Sequence, residues 1–249
     1  MIVAWFLLVE LVNINFIGGI DMCGVIGVYL KNVEEEDLAL IETLFFESQI
    51  RGKHSTGMSY LRSDGSIATY KANLPVGEFF TKFDLYDAVH GDGGIYLIGH
   101  TRYSTSDLRY PQPLSNSKLS IVHNGVITQE PPEEWLYKCQ TKNDSELILR
   151  SLEMDSHPFI DFPTSSMAVV SINEKKQLTA FRNHERPLWY SMHPRGIVFT
   201  STADIARRAG LSNPQKTDQL HNYVVENYEL SVYDCTEPFD LNYVFEDLQ

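Results

Sequence analysis

Cys23 stands directly behind Met22 in DMCGVIGVYL, residues 21–30, and that methionine could itself start the chain. A thiol here is either a buried side chain at the head of a strand, the usual fate of a lone cysteine, or a nucleophile at the first position of the working protein. Three further stretches set polar groups beside glycine: RGKHSTG at 51–57, GHTRYST at 99–105 and HNGVI at 123–127. They read as turns at strand ends, where loops hold reactive groups on a rigid scaffold. Asn124-Gly125 is, taken alone, a hairpin turn. Asp144, in NDSE at 143–146, is taken alone a helix cap. His100 and His123 read as packed, hydrogen-bonded histidines, because no cluster with metal-ligand spacing surrounds either. No metal is expected, and with no GxGxxG and no lysine-bearing phosphate loop, no cofactor either.

Alternating strands and helices must position these groups. Leu38, Ile41, Leu44, Phe45 and Ser48 recur on one face behind an acidic first turn, which predicts a helix over 35–49 packed on a sheet. Segments 55–61 and 66–70 flank Arg62-Ser63-Asp64-Gly65, whose Asp-Gly signals a hairpin. Further strands are predicted over 94–100, 119–123, 166–172, 177–182, 188–192 and 197–201. Asn143 and Glu146 have capping-box spacing ahead of Leu147, Ile148 and Leu152, so a second helix is expected to begin there. No repeat, linker or shift in composition divides residues 23–249, which read as one α+β domain.

Composition narrows the class. A chain of 249 residues with 43% hydrophobic residues can bury a substantial core. Its formal charge of -13 disfavours a grip on phosphate backbones, so no nucleic-acid partner is expected. Cys23, Cys139 and Cys235 lack CxxC spacing and cannot all pair with one another, which points to a reducing cytoplasm. The first segment, 1–22, is apolar but has no Lys or Arg before its apolar run, and Glu10, Asn13 and Asn15 interrupt it. It fits neither a signal peptide nor a membrane span. Gly18-Gly19 must be encoded by GGN-GGN, which can spell a ribosome-binding sequence just upstream of the Met22 codon. Residues 1–22 are therefore expected to be leader or a misassigned upstream start, absent from the mature chain.

MCGVIG, RGKHSTG, GHTRYST, HNGVI and NDSE occur in the order and with the residue types of the class II glutamine amidotransferases. The chain most resembles the glutaminase domain of glucosamine-6-phosphate synthase, with the amidophosphoribosyltransferase and asparagine synthetase domains further off. The resemblance runs from Met22 to about Leu211 and takes in RPLWY and FTSTADIA. It implies a four-layer αββα sandwich of the N-terminal-nucleophile hydrolase type. It also implies that the Cys23 thiol attacks the glutamine side-chain amide with its own α-amino group as base. A free α-amine, with a pKa of about 7.7–8.0, is available for that near neutrality, whereas a peptide nitrogen is not. Asn124, through its side-chain amide, and Gly125, through its N–H, match the oxyanion hole. Arg102 matches the residue that binds the glutamine α-carboxylate, assisted by Thr105, and Asp144 the one that binds the α-ammonium.

Two departures accompany the match. His54 replaces the acidic residue of the family's RGxDSxG pattern, and Ser106 stands where the sugar-phosphate synthases carry histidine. The chain also shows no pattern of a sugar-isomerase or nucleotide-binding domain. The expectation is a stand-alone domain that hydrolyses L-glutamine to glutamate and ammonia and hands the ammonia to a separate synthase. A hydrolase of another γ-glutamyl compound and a non-catalytic glutamine-binding module stand as alternatives.

Overall fold

The computed structural model describes residues 23–103, 108–183 and 186–235. Residues 1–22, expected as leader or a misassigned start, and Thr105 and Ser106 lie outside them.

The run GVIGVYL forms β1 (Gly24–Leu30), and its alternation decides the layering. Val25 and Tyr29 face a second sheet, while Ile26, Val28 and Leu30 face helices, because successive strand residues point to opposite sides. The hairpin expected around Asp64-Gly65 is β2 (Ser55–Leu61) and β3 (Ile67–Ala72), and β4 (Ile95–Arg102) pairs with both β1 and β2. A short β5 (Leu114–Ser115) leads into β6 (Leu119–Val126), followed by β7 (Ser166–Asn173) and β8 (Leu178–Arg182). After these come β9 (Trp189–His193), β10 (Gly196–Thr200), β11 (Gln215–Lys216), β12 (His221–Glu226) and β13 (Glu229–Asp234).

The strands form two antiparallel sheets, in the orders β11-β9-β10-β1-β4-β2-β3 and β13-β12-β8-β7-β6-β5. One core, with Tyr29, Ile98, Val122, Val170 and Phe199, fills the space between them. On the outside of the first sheet lie α1 (Glu35–Ser48), α2 (Val76–Phe80) and, later in the chain, α5 (Ala203–Arg208). Their apolar faces cover Ile26, Leu97 and Val198. On the outside of the second sheet, α3 (Glu146–Glu153) and α4 (Pro158–Asp161) cover Ile121, Met167 and Val169. The expected αββα sandwich is the architecture observed.

Two local expectations are corrected. The first helix ends at Ser48, and Gln49–Arg51 tightens into a 3-10 turn. The capping box at Asn143 and Glu146 does not form: α3 starts at Glu146 behind Ser145. The Glu146 carboxylate accepts instead from the Gln140 and Thr141 N–H groups, at 2.8 and 2.7 Å, and pairs with Arg150. Asn143 makes a local turn, its Oδ1 accepting from Ser145 N at 3.1 Å. Among the described residues no helix is long and apolar enough to cross a membrane.

Candidate active site

The Cys23 main chain and the Asn124 amide meet across the two sheets. Cys23 immediately precedes β1, and Asn124 shares a face of the second sheet with Val122, so the Asn124 amide points into the inter-sheet space. The main-chain nitrogen of Cys23 donates to Asn124 Oδ1 at 3.2 Å. The other end of the same amide, Asn124 Nδ2, is buried without a partner. A buried donor left unpaired is costly, and such groups gather where a ligand completes them. Gly125, next on β6, has φ +152, and a Cβ there would come within 1.9 Å of the Ser166 carbonyl oxygen. Glycine is thus required by the close pairing of β6 with β7.

Arg51 holds the other side of the cysteine, its Nε donating to the Cys23 carbonyl at 2.9 Å. Burial lowers its pKa to about 10. The Cys23 thiol is half-buried. Burial pushes its pKa up, while the Tyr103 main chain and the charges of Arg102, Arg51 and Arg186 pull it down without offsetting the burial. The thiol is therefore protonated near neutrality and needs a base to become a nucleophile. His54, at the departure from the acidic pattern, packs its ring against Tyr103, whose carbonyl lies near the Cys23 thiol, with ring centroids 4.8 Å apart.

Arg102 closes β4, and its Nη1 donates to the Tyr110 carbonyl at 2.9 Å. Asn143 Nδ2 donates to the same oxygen at 3.0 Å, which links Arg102 to the neighbour of Asp144. Asp144 does not cap α3. Its Oδ2 accepts from Ile127 N at 2.7 Å and Thr128 N at 3.4 Å, tying the carboxylate to the exit of β6. A cavity of about 540 Å³ opens beside that exit, between Val126, Thr128 and Gln129 on one side and Thr164, Ser165 and Ser166 on the other. Cys23 does not line it.

The two histidines differ. His123 packs toward α3 and is hydrogen-bonded as expected, Nδ1 to Ser145 Oγ at 2.8 Å and Nε2 to the Ser166 carbonyl at 3.3 Å. His100 is as buried, yet neither ring nitrogen makes a hydrogen bond, which corrects the expectation for it. Burial drives both pKa values down, to about 4 for His123 and about 3 for His100, where the charge of Arg102 adds to the effect. Both rings are neutral at physiological pH.

Three residues make contacts that the sequence did not assign to them. Arg51 sat visibly in RGKHSTG, but its bond to a main-chain carbonyl has no sequence signal. Arg186, in RPLWY, places its charge near Cys23 while its Nε donates to Ser166 Oγ at 3.1 Å. Gln112 is buried against β6.

No protein-family model matches the chain. It is 31% identical over 152 residues to an amidophosphoribosyltransferase of Methanothermobacter thermautotrophicus, a match spanning 55% of this chain and 31% of that enzyme. It is 29% identical over 161 residues to a glutamine–fructose-6-phosphate aminotransferase of Staphylococcus aureus, spanning 61% of this chain and 25% of that one. The matches thus cover only about a quarter to a third of these curated relatives' length. Among solved structures, the glutamine phosphoribosylpyrophosphate amidotransferase of B. subtilis superposes with a TM-score of 0.68 at 19% identity, over 87% of this chain and 50% of that one. A glutamine aminotransferase class-II domain protein of Silicibacter pomeroyi does so at 0.50 and 10% identity, over 85% and 98%. The five motifs, the sequence likeness to two glutamine-using enzymes and the shared sandwich agree: over more than half of its length the chain is similar to class II glutamine amidotransferases, and it shares the fold of such enzymes.

Proposed function

We propose that the chain hydrolyses L-glutamine to glutamate and ammonia through a γ-glutamyl thioester on Cys23, and that the ammonia passes to a separately encoded synthase. The single observation that carries this reading is the Asn124 amide, which accepts from the Cys23 nitrogen through Oδ1 and leaves Nδ2 buried and unpaired. One side chain thereby orients the base and offers a donor to the oxyanion.

The chemistry follows from those positions. With the preceding residues removed, the Cys23 α-amine takes the Sγ proton and the sulfur attacks the glutamine side-chain carbonyl carbon. Charge develops on the carbonyl oxygen and is met by Asn124 Nδ2 and the Gly125 N–H, each donor contributing about 3–4 kcal/mol in comparable sites. Collapse breaks the C–N bond, and the ammonium of Cys23 returns the proton to the leaving nitrogen. Water then attacks the thioester by the same proton path, releasing glutamate. Arg102 and Asp144 suit the α-carboxylate and α-ammonium by charge, with Thr105 assigned beside Arg102 by the motif. A cytoplasmic setting fits three unpaired cysteines.

The test compares a chain beginning at Cys23 with one that keeps an uncleavable residue before it. Glutamate release is expected from the first alone. It should vanish in Cys23→Ala and persist in Cys139→Ala and Cys235→Ala. Turnover by the extended chain would exclude the free amine as base, and release by Cys23→Ala would exclude the thioester.

A further inference from the structure

The pairing of β5 with β6 stops short of the site. Leu114 lies opposite Ile121 and Ser115 opposite Ser120. Continuing that register brings Gln112 opposite His123, at a hydrogen-bonding position of the ladder. The Gln112 side chain takes over the ladder. Its Oε1 accepts from His123 N at 2.6 Å and its Nε2 donates to the His123 carbonyl at 3.1 Å. The same Nε2 lies 3.2 Å from Ser145 Oγ, the group that holds the His123 ring. Gln112 is only 5% exposed, so these bonds form away from competing water.

The Gln112 main chain is also seated. A Cβ on Gly57, in RGKHSTG, would come within 2.1 Å of the Gln112 carbonyl oxygen, so the motif's last glycine makes room for it. Lys71 Nζ donates to the Pro113 carbonyl at 2.9 Å. Two residues earlier, Tyr110 gives its carbonyl to Arg102 and Asn143. One short segment thus touches the ends of β4, β6 and the start of α3.

We propose that Gln112 is a positioning residue: by holding both main-chain groups of His123 it fixes the adjoining Asn124 amide for the oxyanion, a role that rests on the glutaminase reading above. A catalytic group displaced by about 1 Å can cost about 100-fold in rate, which sets the scale of the effect. Gln112→Met keeps the volume and removes the hydrogen bonds. In a chain beginning at Cys23 it is expected to lower kcat about 10- to 100-fold, with KM for glutamine changed less than about 3-fold. Gln112→Glu, which can still accept from His123 N, is expected to recover part of the loss and serves if the Met variant does not fold. In an Asn124→Ala background the same substitution should lower kcat less than about 3-fold, because the group it positions is gone. Equal losses in both backgrounds, or a change confined to KM, would overturn the proposal. Amide hydrogen exchange at residues 123–125 separates this failure from that of the glutaminase reading. Exchange should quicken in Gln112→Met or Gln112→Glu even if the wild-type chain released no glutamate, and unchanged exchange would overturn the positioning role by itself.

Discussion

Arg102 carries the sharpest residue-scale consequence of the site. Its guanidinium gives Nη1 to the Tyr110 carbonyl, a neutral acceptor, and its planar fork suits a carboxylate of the substrate. A charge-assisted bidentate contact is stronger than a neutral hydrogen bond, and its loss acts on capture before it acts on chemistry. Arg102→Ala is expected to raise KM for glutamine at least about 10-fold with a smaller effect on kcat, as removal of uniform binding does. A glutamine analogue lacking the α-carboxylate should be turned over equally by wild type and variant. If the two still differ on that analogue, Arg102 acts by holding Tyr110 and not by binding substrate.

At the scale of elements, β6 is the critical strand, because Asn124 accepts from the Cys23 nitrogen while Gly125 sits tightly against β7. Gly125→Ala would drive a Cβ to 1.9 Å from the Ser166 carbonyl at a φ of +152, with no flexible side chain able to yield. Backbone strain of this kind costs about 1–3 kcal/mol before any loss of pairing. The variant should unfold at lower urea than wild type by at least that amount. A midpoint equal to wild type would show that β6 and β7 can part without cost.

How much of this was legible follows from the same physics. β2 was read with its observed bounds because Asp64-Gly65 ends it sharply, Gly65 taking φ +82. The hairpin of β12 and β13 was not read. Its two-residue turn is Asn227-Tyr228, both with positive φ, where Asn-Gly would have announced it. Tyr228 tolerates that backbone because its ring packs on Tyr29 and its hydroxyl lies 2.5 Å from that of Tyr96. β13 is largely exposed. In the site, Asn124, Gly125, Arg102 and Asp144 were visible as motif residues. Arg51 and Gln112 act on main-chain atoms 28 and 11 residues away, which no local pattern encodes.

For the whole molecule, the two sheets enclose a histidine on which burial outweighs the offsetting pull of the His123 main chain. His100 lies on β4 on the inter-sheet side with no hydrogen bond to either ring nitrogen, and its pKa falls to about 3. In the unfolded chain the same ring titrates near 6.5. Between those values the unfolded state binds a proton that the folded state refuses, so acidification favours unfolding. The contribution of His100 is fully present above about pH 6.5 and is lost as the pH falls toward about 3, at up to about 1.4 kcal/mol per pH unit. His123, lowered to about 4, adds in the same direction. Relief of the -13 net charge on acidification works against both, so the slope of wild type alone does not isolate the effect. His100→Leu removes the titrating group and keeps the site buried, and His100→Gln serves if packing fails. Urea midpoints measured from pH 7.5 to 4.5 should fall more steeply for wild type than for the variant, with the curves separating only below about pH 6.5. Parallel curves across the range would mean that the inter-sheet core admits a charged imidazole, and that His100 reaches water or a partner on protonation.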